Sequence, residues 1–344
     1  MDNDKESAAD TTRLSDPVTG SGSGLKNILG FVIKAAISIG LIAWLFPAND
    51  LEKTGEQLGS ADPLFLLAAF VTALFCIFLV VFRWMAVLET MKVSVSYLYG
   101  LQLVLIGIFF NQALPSTVGG DAVRAWRLYR DGYPGGLSVR SVVMDRIIAL
   151  IGLTLLVILC LPLLFFQLGN TLSFWMILAL ILAAAVAVVI LLMLKRLPER
   201  FRGNRIVRGF ITLSSDAWAI LRHDRAARVT LGISMFVHAS NPFVVYCLAL
   251  AVGVDVSYLA CLVLVPPVVL VSVVPISLAG WGVREGAMIA AFGFIGVPAQ
   301  EAFVLSVGFG LVILATGLPG GPVWLFTRRK GGRAEMEKKN RALS

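Results

Sequence analysis

Charge is scarce in this chain. Of 344 residues only 15% are Asp, Glu, Lys or Arg, while 58% are hydrophobic. A soluble globular domain usually carries about 25% charged and about 45–50% apolar residues, so that class is excluded. Histidine is nearly absent, with two residues in all, and His238 has no partner ligands at a spacing that suits a metal. The four cysteines, Cys76, Cys160, Cys247 and Cys261, all sit inside apolar runs without metal-ligand spacing, and read as buried inert thiols. There is no G-x-x-x-x-G-K-S/T stretch and no kinase-like set of motifs, so nothing points to nucleotide hydrolysis. No metal and no cofactor is expected. No cleavable signal peptide stands out, and the first apolar segment, from about Ile28, is expected to stay as a span.

Long apolar runs are what the chain has instead. They predict an all-α polytopic membrane protein, with full spans near 27–46, 63–83, 142–166, 173–194, 229–251 and 302–326, since about 20 apolar residues cross a bilayer as helix. Two further apolar segments, 97–113 and 259–276, run straight into Pro/Gly-containing motifs. Residues 1–24 are polar and read as a disordered cytoplasmic tail. Residues 25–327 form the transmembrane domain, and 328–344 a basic cytoplasmic tail.

The formal net charge of +8 is a matter of orientation, not of nucleic acid. The segment 195–228, read as a loop, carries nine Lys/Arg against Glu199, Asp216 and Asp224, and the tail after Phe326 is equally basic. Both belong in the cytoplasm by the positive-inside rule. The loop 47–62 has Lys53 alone against Asp50, Glu52, Glu56 and Asp62, and loops 167–172 and 252–258 have no basic residue. These belong outside. With the N-terminus inside, six spans alternate correctly only if 97–141 starts and ends in the cytoplasm and 252–301 starts and ends outside. Two re-entrant helical hairpins, related as an inverted repeat, are therefore expected, with both termini cytoplasmic. Gly/Pro-interrupted segments at matching positions of two such halves point to a substrate site.

The motifs support that pairing. Leu114-Pro115-Ser116-Thr117-Val118-Gly119-Gly120-Asp121-Ala122-Val123-Arg124 aligns with Val274-Pro275-Ile276-Ser277-Leu278-Ala279-Gly280-Trp281-Gly282-Val283-Arg284 at an offset of 160. In the first copy Pro115 ends the apolar helix, and Gly119 and Gly120 allow a sharp turn. Asp121 is then expected to cap a helix over Ala122–Tyr129, with Arg124 and Arg127 on one face. Helix-start amides and arginines suit a phosphate; the alternative is an amphipathic helix lying on anionic headgroups. Asn111 either meets a headgroup or caps the break. In the second copy Arg284 awaits a carboxylate from elsewhere or a lipid phosphate, because Glu285, its neighbour, is expected on a different helix face. The alternative there is a structural ion pair. Asp145-Arg146 is expected to open the span 142–166, the acid favouring the helix dipole and the arginine snorkelling. His238 precedes Pro242 inside a span, where it either lines a polar kink or bonds a neighbouring helix.

These residues carry a resemblance. Asn111-x-x-Leu-Pro-Ser-x-x-Gly-Gly-Asp121-x-x-Arg124, then Asp145-Arg146, then Pro275-x-Ser277-x-x-Gly280-x-Gly-x-Arg284-Glu285 resemble the lysylphosphatidylglycerol synthase transmembrane, or flippase-like, family over about Lys26 to Arg328. The resemblance implies a multi-pass protein of the bacterial cytoplasmic (inner) membrane that flips or handles lipids, with hairpins meeting near mid-membrane. Family members that synthesise lysyl-lipid append a soluble aminoacyltransferase domain. Here the chain ends 18 residues after the last apolar run, so that synthesis is not expected. The expected activity is translocation of a phosphate-bearing lipid (a phospholipid, aminoacyl-lipid, glycolipid or polyprenyl-phosphate-linked lipid), without catalysis, bound through Asn111, Pro115, Ser116, Gly119, Gly120, Asp121, Arg124, Arg127, Asp145, Arg146, His238, Ser277, Gly280, Arg284 and Glu285. The alternatives are a membrane-embedded lipid-phosphate transferase and a non-transporting partner of a lipid-modifying enzyme. Membrane lipids are the expected partners, with a lipid-synthesising enzyme or a second copy as further ones.

Overall fold

The computed structural model describes residues 51–114, 118–196, 205–273 and 280–327, and every regular element among them is helical. The chain runs α1 (Leu51–Gly59), α2 (Pro63–Thr90), α3 (Tyr97–Ala113), α4 (Gly119–Arg130), α5 (Gly135–Leu159), α6 (Leu161–Leu168), α7 (Leu172–Met193), α8 (Arg205–Arg222), α9 (Asp224–Val252), α10 (Tyr258–Ser272), α11 (Val283–Gly293), α12 (Ala299–Gly317) and α13 (Gly320–Thr327). Five stretches are long and apolar enough to cross a membrane: Pro63–Thr90, Gly135–Leu159, Leu172–Arg196, Arg225–Val252 and Ala299–Thr327. They match five of the six expected spans; the sixth, 27–46, lies outside the described residues. The protein is an integral multi-pass membrane protein, and the large apolar side chains it exposes, among them Phe75, Leu155, Trp175 and Ile190, face a solvent that is itself hydrocarbon.

α2 and α9 form the centre and run antiparallel. At one end the Asp62 N–H donates to the Ala251 carbonyl at 2.8 Å. At the other, Arg83 Nη1 donates to Ser234 Oγ at 3.3 Å. α12 is drawn into the bundle, with 61% of its apolar stretch buried, whereas the stretch containing α7 is 17% buried and stands at the periphery.

A similar order of elements occurs twice, with similar caps. Asp62 caps α2 and His223 caps α9; Ser96 caps α3 by accepting from the Tyr99 N–H, and Ser257 caps α10 by accepting from the Ala260 N–H. α2 and α9 both end in a left-handed residue, Lys92 (φ 59°) and Gly253 (φ 74°). In each, the next amide, Val93 or Val254, donates back to the carbonyl five residues earlier, Leu88 or Ala249. That closes the exposed carbonyls of the last turn. After α4 and α11 a left-handed glycine, Gly132 or Gly296, is followed two residues later by a proline cap, Pro134 or Pro298, that opens α5 or α12. A long helix, a short apolar helix, a break, a short arginine-bearing helix and a long helix thus occur twice in order.

Four expectations need correction. The span expected at 142–166 begins at Gly135 and ends at Leu159, because Pro162 cannot donate and starts a new helix, α6. Asp145 and Arg146 therefore lie mid-helix and not at its opening. The segment 195–228 is not a loop: it holds α8, whose Ser214, Ala217 and Ile220 are buried against the bundle, while Arg140 of α5 grips Asp216 with two bonds of 2.6 and 2.7 Å. The loop expected at 47–62 contains α1, fixed to α12 where Gln300 Nε2 donates to Thr54 Oγ1 at 2.9 Å. The span expected at 302–326 is divided at Leu318-Pro319 into α12 and α13.

Candidate functional site

Charge this deep in an apolar bundle is expensive, so its disposition is informative. α2 contributes Arg83 and Trp84, α4 contributes Asp121, Arg124 and Arg127, and α5 contributes Asp145 and Arg146. Asp121 and Arg124 are three apart on α4 and share a face. Asp145, 2% exposed, holds two arginines at once. Its Oδ1 accepts from Arg83 Nε at 2.8 Å, and its Oδ2 accepts from Arg124 Nη1 and Nη2 at 3.4 and 3.3 Å. Arg124 also lies 3.9 Å over the Trp84 ring. Beside this triad, Arg146 donates through Nε at 2.6 Å and Nη2 at 3.2 Å to the two oxygens of Asp121. Three cations against two anions leave the cluster one positive charge in excess.

Two donors of the stacked pair are left over. Arg124 Nε and Trp84 Nε1 are buried and have no acceptor among the described residues. An unmet buried donor costs about 1–3 kcal/mol, and two in one contact mark a place where an acceptor belongs.

The depth of the cluster follows from helix counting. Arg83 is seven residues before Thr90, Asp145 ten after Gly135, and Ser234 ten after Asp224. At 1.5 Å per residue these lie about 10–15 Å, or about two to three turns, inside their helices.

Asn111 and the glycines shape the break between α3 and α4. Asn111 Oδ1 accepts from the Gly120 N–H at 2.9 Å, so Asn111 caps the break. Gly119 and Gly120 do not make the expected turn; both are helical, in the first turn of α4. Gly120 is needed for proximity, since a Cβ there would collide with the Gly107 carbonyl of α3 and crowd the Asn111 backbone. Asp121 is not the cap either. It is the third residue of α4, which starts earlier than expected, and its carboxylate is taken by Arg146. Arg146 bonds Asp121 while its side chain stays about half exposed.

Arg127 is occupied elsewhere. Its Nε bonds Asp131 at 3.1 Å, its Nη2 donates to the Thr327 carbonyl at 2.6 Å, and Tyr99 donates to Asp131 at 2.7 Å. It ties α4 to the end of α13. His238 Nε2 lies 3.1 Å from the Ala149 carbonyl of α5, which is the bond to a neighbouring helix; the groove beside Pro242 is lined by Phe75, Phe236, Phe243 and Tyr258 and is largely apolar. Pro115, Ser116 and Ser277 lie outside the described residues.

The second motif closes on itself. Gly280 (φ 83°) and Gly282 (φ 85°) take left-handed conformations that favour glycine, and here the glycines do make a turn. Glu285 accepts from the Gly282 N–H at 2.5 Å through Oε2. Its Oε1 accepts from Arg284 Nη2 at 2.6 Å and Nε at 3.1 Å, and Ser306 of α12 bonds the same oxygen at 3.2 Å. Arg284 lies 4.4 Å over the Trp281 ring and against Gly310, where a Cβ would strike the guanidinium. The expectation that adjacent Arg284 and Glu285 point apart is thus overturned. At a helix start the carboxylate reaches back to cap the first turn, and a long guanidinium can curl to meet it. This second cluster is neutral, so the two halves are chemically unequal.

Arg83, Trp84, Ser234 and Ser306 escaped the sequence reading. The signal for the first two was available: Arg83-Trp84 is followed by Met85-Ala86-Val87-Leu88, so that arginine interrupts an apolar run and does not end it.

Comparison with known proteins agrees with this architecture. The family described as Lysylphosphatidylglycerol synthase TM region matches residues 31–321. A UPF0104 membrane protein of Methanothermobacter thermautotrophicus is 26% identical over 311 residues, covering 81% of this chain and 87% of that protein. A UPF0104 membrane protein of Methanocaldococcus jannaschii is 26% identical over 125 residues, 36% of each chain. Matched over most of its length, including both arginine-bearing motifs and the long helices between them, the chain belongs to the family of the lysylphosphatidylglycerol synthase transmembrane region.

Proposed function

We propose that this protein receives the phosphate-bearing headgroup of a membrane lipid at the Arg83–Asp145–Arg124 triad and passes the lipid between the leaflets of a cytoplasmic membrane. One observation carries the reading: a buried cluster about two to three turns inside its helices has one cation in excess, and two of its donors, Arg124 Nε and Trp84 Nε1, lack an acceptor among the described residues. A phosphate supplies both the missing charge and the missing acceptors. The arginines replace the headgroup hydration whose loss makes unassisted crossing slow. The family's name links its members to a lipid, and the acyl tails remain in hydrocarbon throughout.

Two-sided access follows from the repeat. The end of α2 and the starts of α5 and α9 lie together, as the Arg83 contacts with Asp145 and Ser234 require. In our reading this is the cytoplasmic end, since the basic segment 195–228 leads directly into α9. The pair α3–α4 then enters and leaves from the cytoplasm. α10–α11 enters and leaves from the outer side, where the start of α2 meets the end of α9. This is the inverted arrangement in which broken helices frame a shared path. Transport without catalysis is the reading the ion pairs favour, since Asp121, Asp145 and Glu285, the acid/base candidates among the carboxylates, are each held by arginine.

Reconstitution tests the reading. Purified protein in vesicles containing fluorescent phosphatidylglycerol is expected to expose inner-leaflet label to an external quencher far faster than empty vesicles do. Arg124→Lys, which keeps the charge and loses the Nε donor, is expected to slow this by about tenfold, the worth of one charge-assisted hydrogen bond. Equal rates with and without protein would overturn the proposal.

A further inference from the structure

The charge balance of the site specifies the kind of headgroup it accepts. The Arg83–Asp145–Arg124 triad carries one net positive charge, while Arg146 and Asp121 form a neutral pair alongside it. The four buried carboxylates among the described residues are all engaged. Asp121 holds Arg146, Asp131 holds Arg127 and Tyr99, Asp145 holds Arg83 and Arg124, and Glu285 holds Arg284 and Ser306. A headgroup amine arriving at this depth would find a net positive field and no free carboxylate.

We propose that the site selects lipids with a singly charged phosphodiester headgroup and no amine, and rejects lipids whose headgroup carries an aminoacyl cation. This rests on the triad being the headgroup site. One phosphodiester brings one negative charge, which cancels the excess, and its free oxygens accept from Arg124 Nε and Trp84 Nε1. A phosphomonoester dianion overshoots by one charge, and a lysyl ester adds like charge where nothing can neutralise it; like charge set against like in a desolvated site discriminates strongly against wrong ligands.

Asp121 is then the specificity-setting residue. It touches no ligand in this scheme, but it fixes the number of uncompensated cations. Its side chain is 8% exposed and that of Arg146 is 55% exposed, so Arg146 tolerates losing its partner better than Asp121 would. Replacing Asp121 with asparagine keeps the shape, frees Arg146 and raises the excess from one charge to two.

Lipid retention by the full chain in detergent, read by native mass spectrometry, tests this without requiring movement. The protein is offered an equimolar mixture of phosphatidylglycerol, lysyl-phosphatidylglycerol, phosphatidylcholine and phosphatidic acid at pH 8. The wild-type chain is expected to retain phosphatidylglycerol about tenfold over the lysyl and choline lipids. Asp121→Asn is expected to shift retention toward phosphatidic acid by a similar factor, and Asp121→Asn/Arg146→Gln, which restores the single excess charge, to return it to phosphatidylglycerol. Equal or better retention of lysyl-phosphatidylglycerol overturns the proposal, as does an Asp121→Asn protein with unaltered preference. Displacement of the lipid by glycerophosphoglycerol at equal concentration overturns the assignment to a lipid. Selective retention without leaflet transfer leaves this inference standing and removes the transport reading; transfer without selectivity does the reverse.

Discussion

Asp145 is the residue on which most of the buried charge depends. Its two oxygens neutralise Arg83 and Arg124 from different helices, and removing one partner of a buried pair typically costs about 3–5 kcal/mol because the other charge is left behind. Asp145→Asn is therefore expected to lower the thermal denaturation midpoint in detergent markedly. Asp216→Asn breaks the Arg140 pair, whose arginine side chain is 41% exposed, and should cost no more than about 1 kcal/mol. Comparable losses in the two variants would show that the triad is not buried as described. Sequence alone could locate Asp145 but not its role. The aspartate was legible as an acid near an apolar run, yet its partner Arg83 lies 62 positions away, and nothing local records that pairing.

At the scale of elements, helix breaks and helix approaches follow different rules. Leu114 ends α3 where the apolar run meets Pro115, and this boundary was legible because proline removes a donor locally. The role of Gly120 was not, because it depends on how closely α4 crosses α3. A Cβ on Gly120 would collide with the Gly107 carbonyl, so Gly120→Ala is expected to destabilise by about 1–3 kcal/mol, as overpacking does. Gly232→Ala in α9, where a Cβ meets nothing within 4 Å, should leave the melting temperature unchanged or slightly raised. A Gly120→Ala protein as stable as the Gly232→Ala protein would contradict the close approach. The same contrast explains Gly280 and Gly282. A turn was expected of Gly119 and Gly120, but the first copy uses Gly120 for contact and the second uses Gly280 and Gly282 for left-handed backbone.

At the scale of the whole molecule, a similar order of helices occurs twice along the chain. Aligned motifs suggested two related halves, and the caps Asp62 and His223, Ser96 and Ser257, and the left-handed residues Lys92 and Gly253 fall at similar places in that order. Capping is a backbone requirement that several residue types meet, so it persists where identities do not. Single-cysteine labelling in sealed vesicles tests the arrangement, since the four native cysteines are buried. Lys92→Cys and Arg222→Cys are expected to react from the cytoplasmic face, and Asp255→Cys and Ala299→Cys from the outer face. Labelling of Lys92→Cys and Asp255→Cys from one face would end the inverted reading. Hydropathy by itself determined that this is a helical membrane protein and where most of its helices run, because in lipid every backbone group must bond within its own segment and the signal is local. Only the tertiary structure decided which arginine is neutralised, by which carboxylate, and that one half keeps a spare charge while the other closes on itself. Those outcomes depend on the rotation and crossing of helices distant in sequence, which no run of residues records.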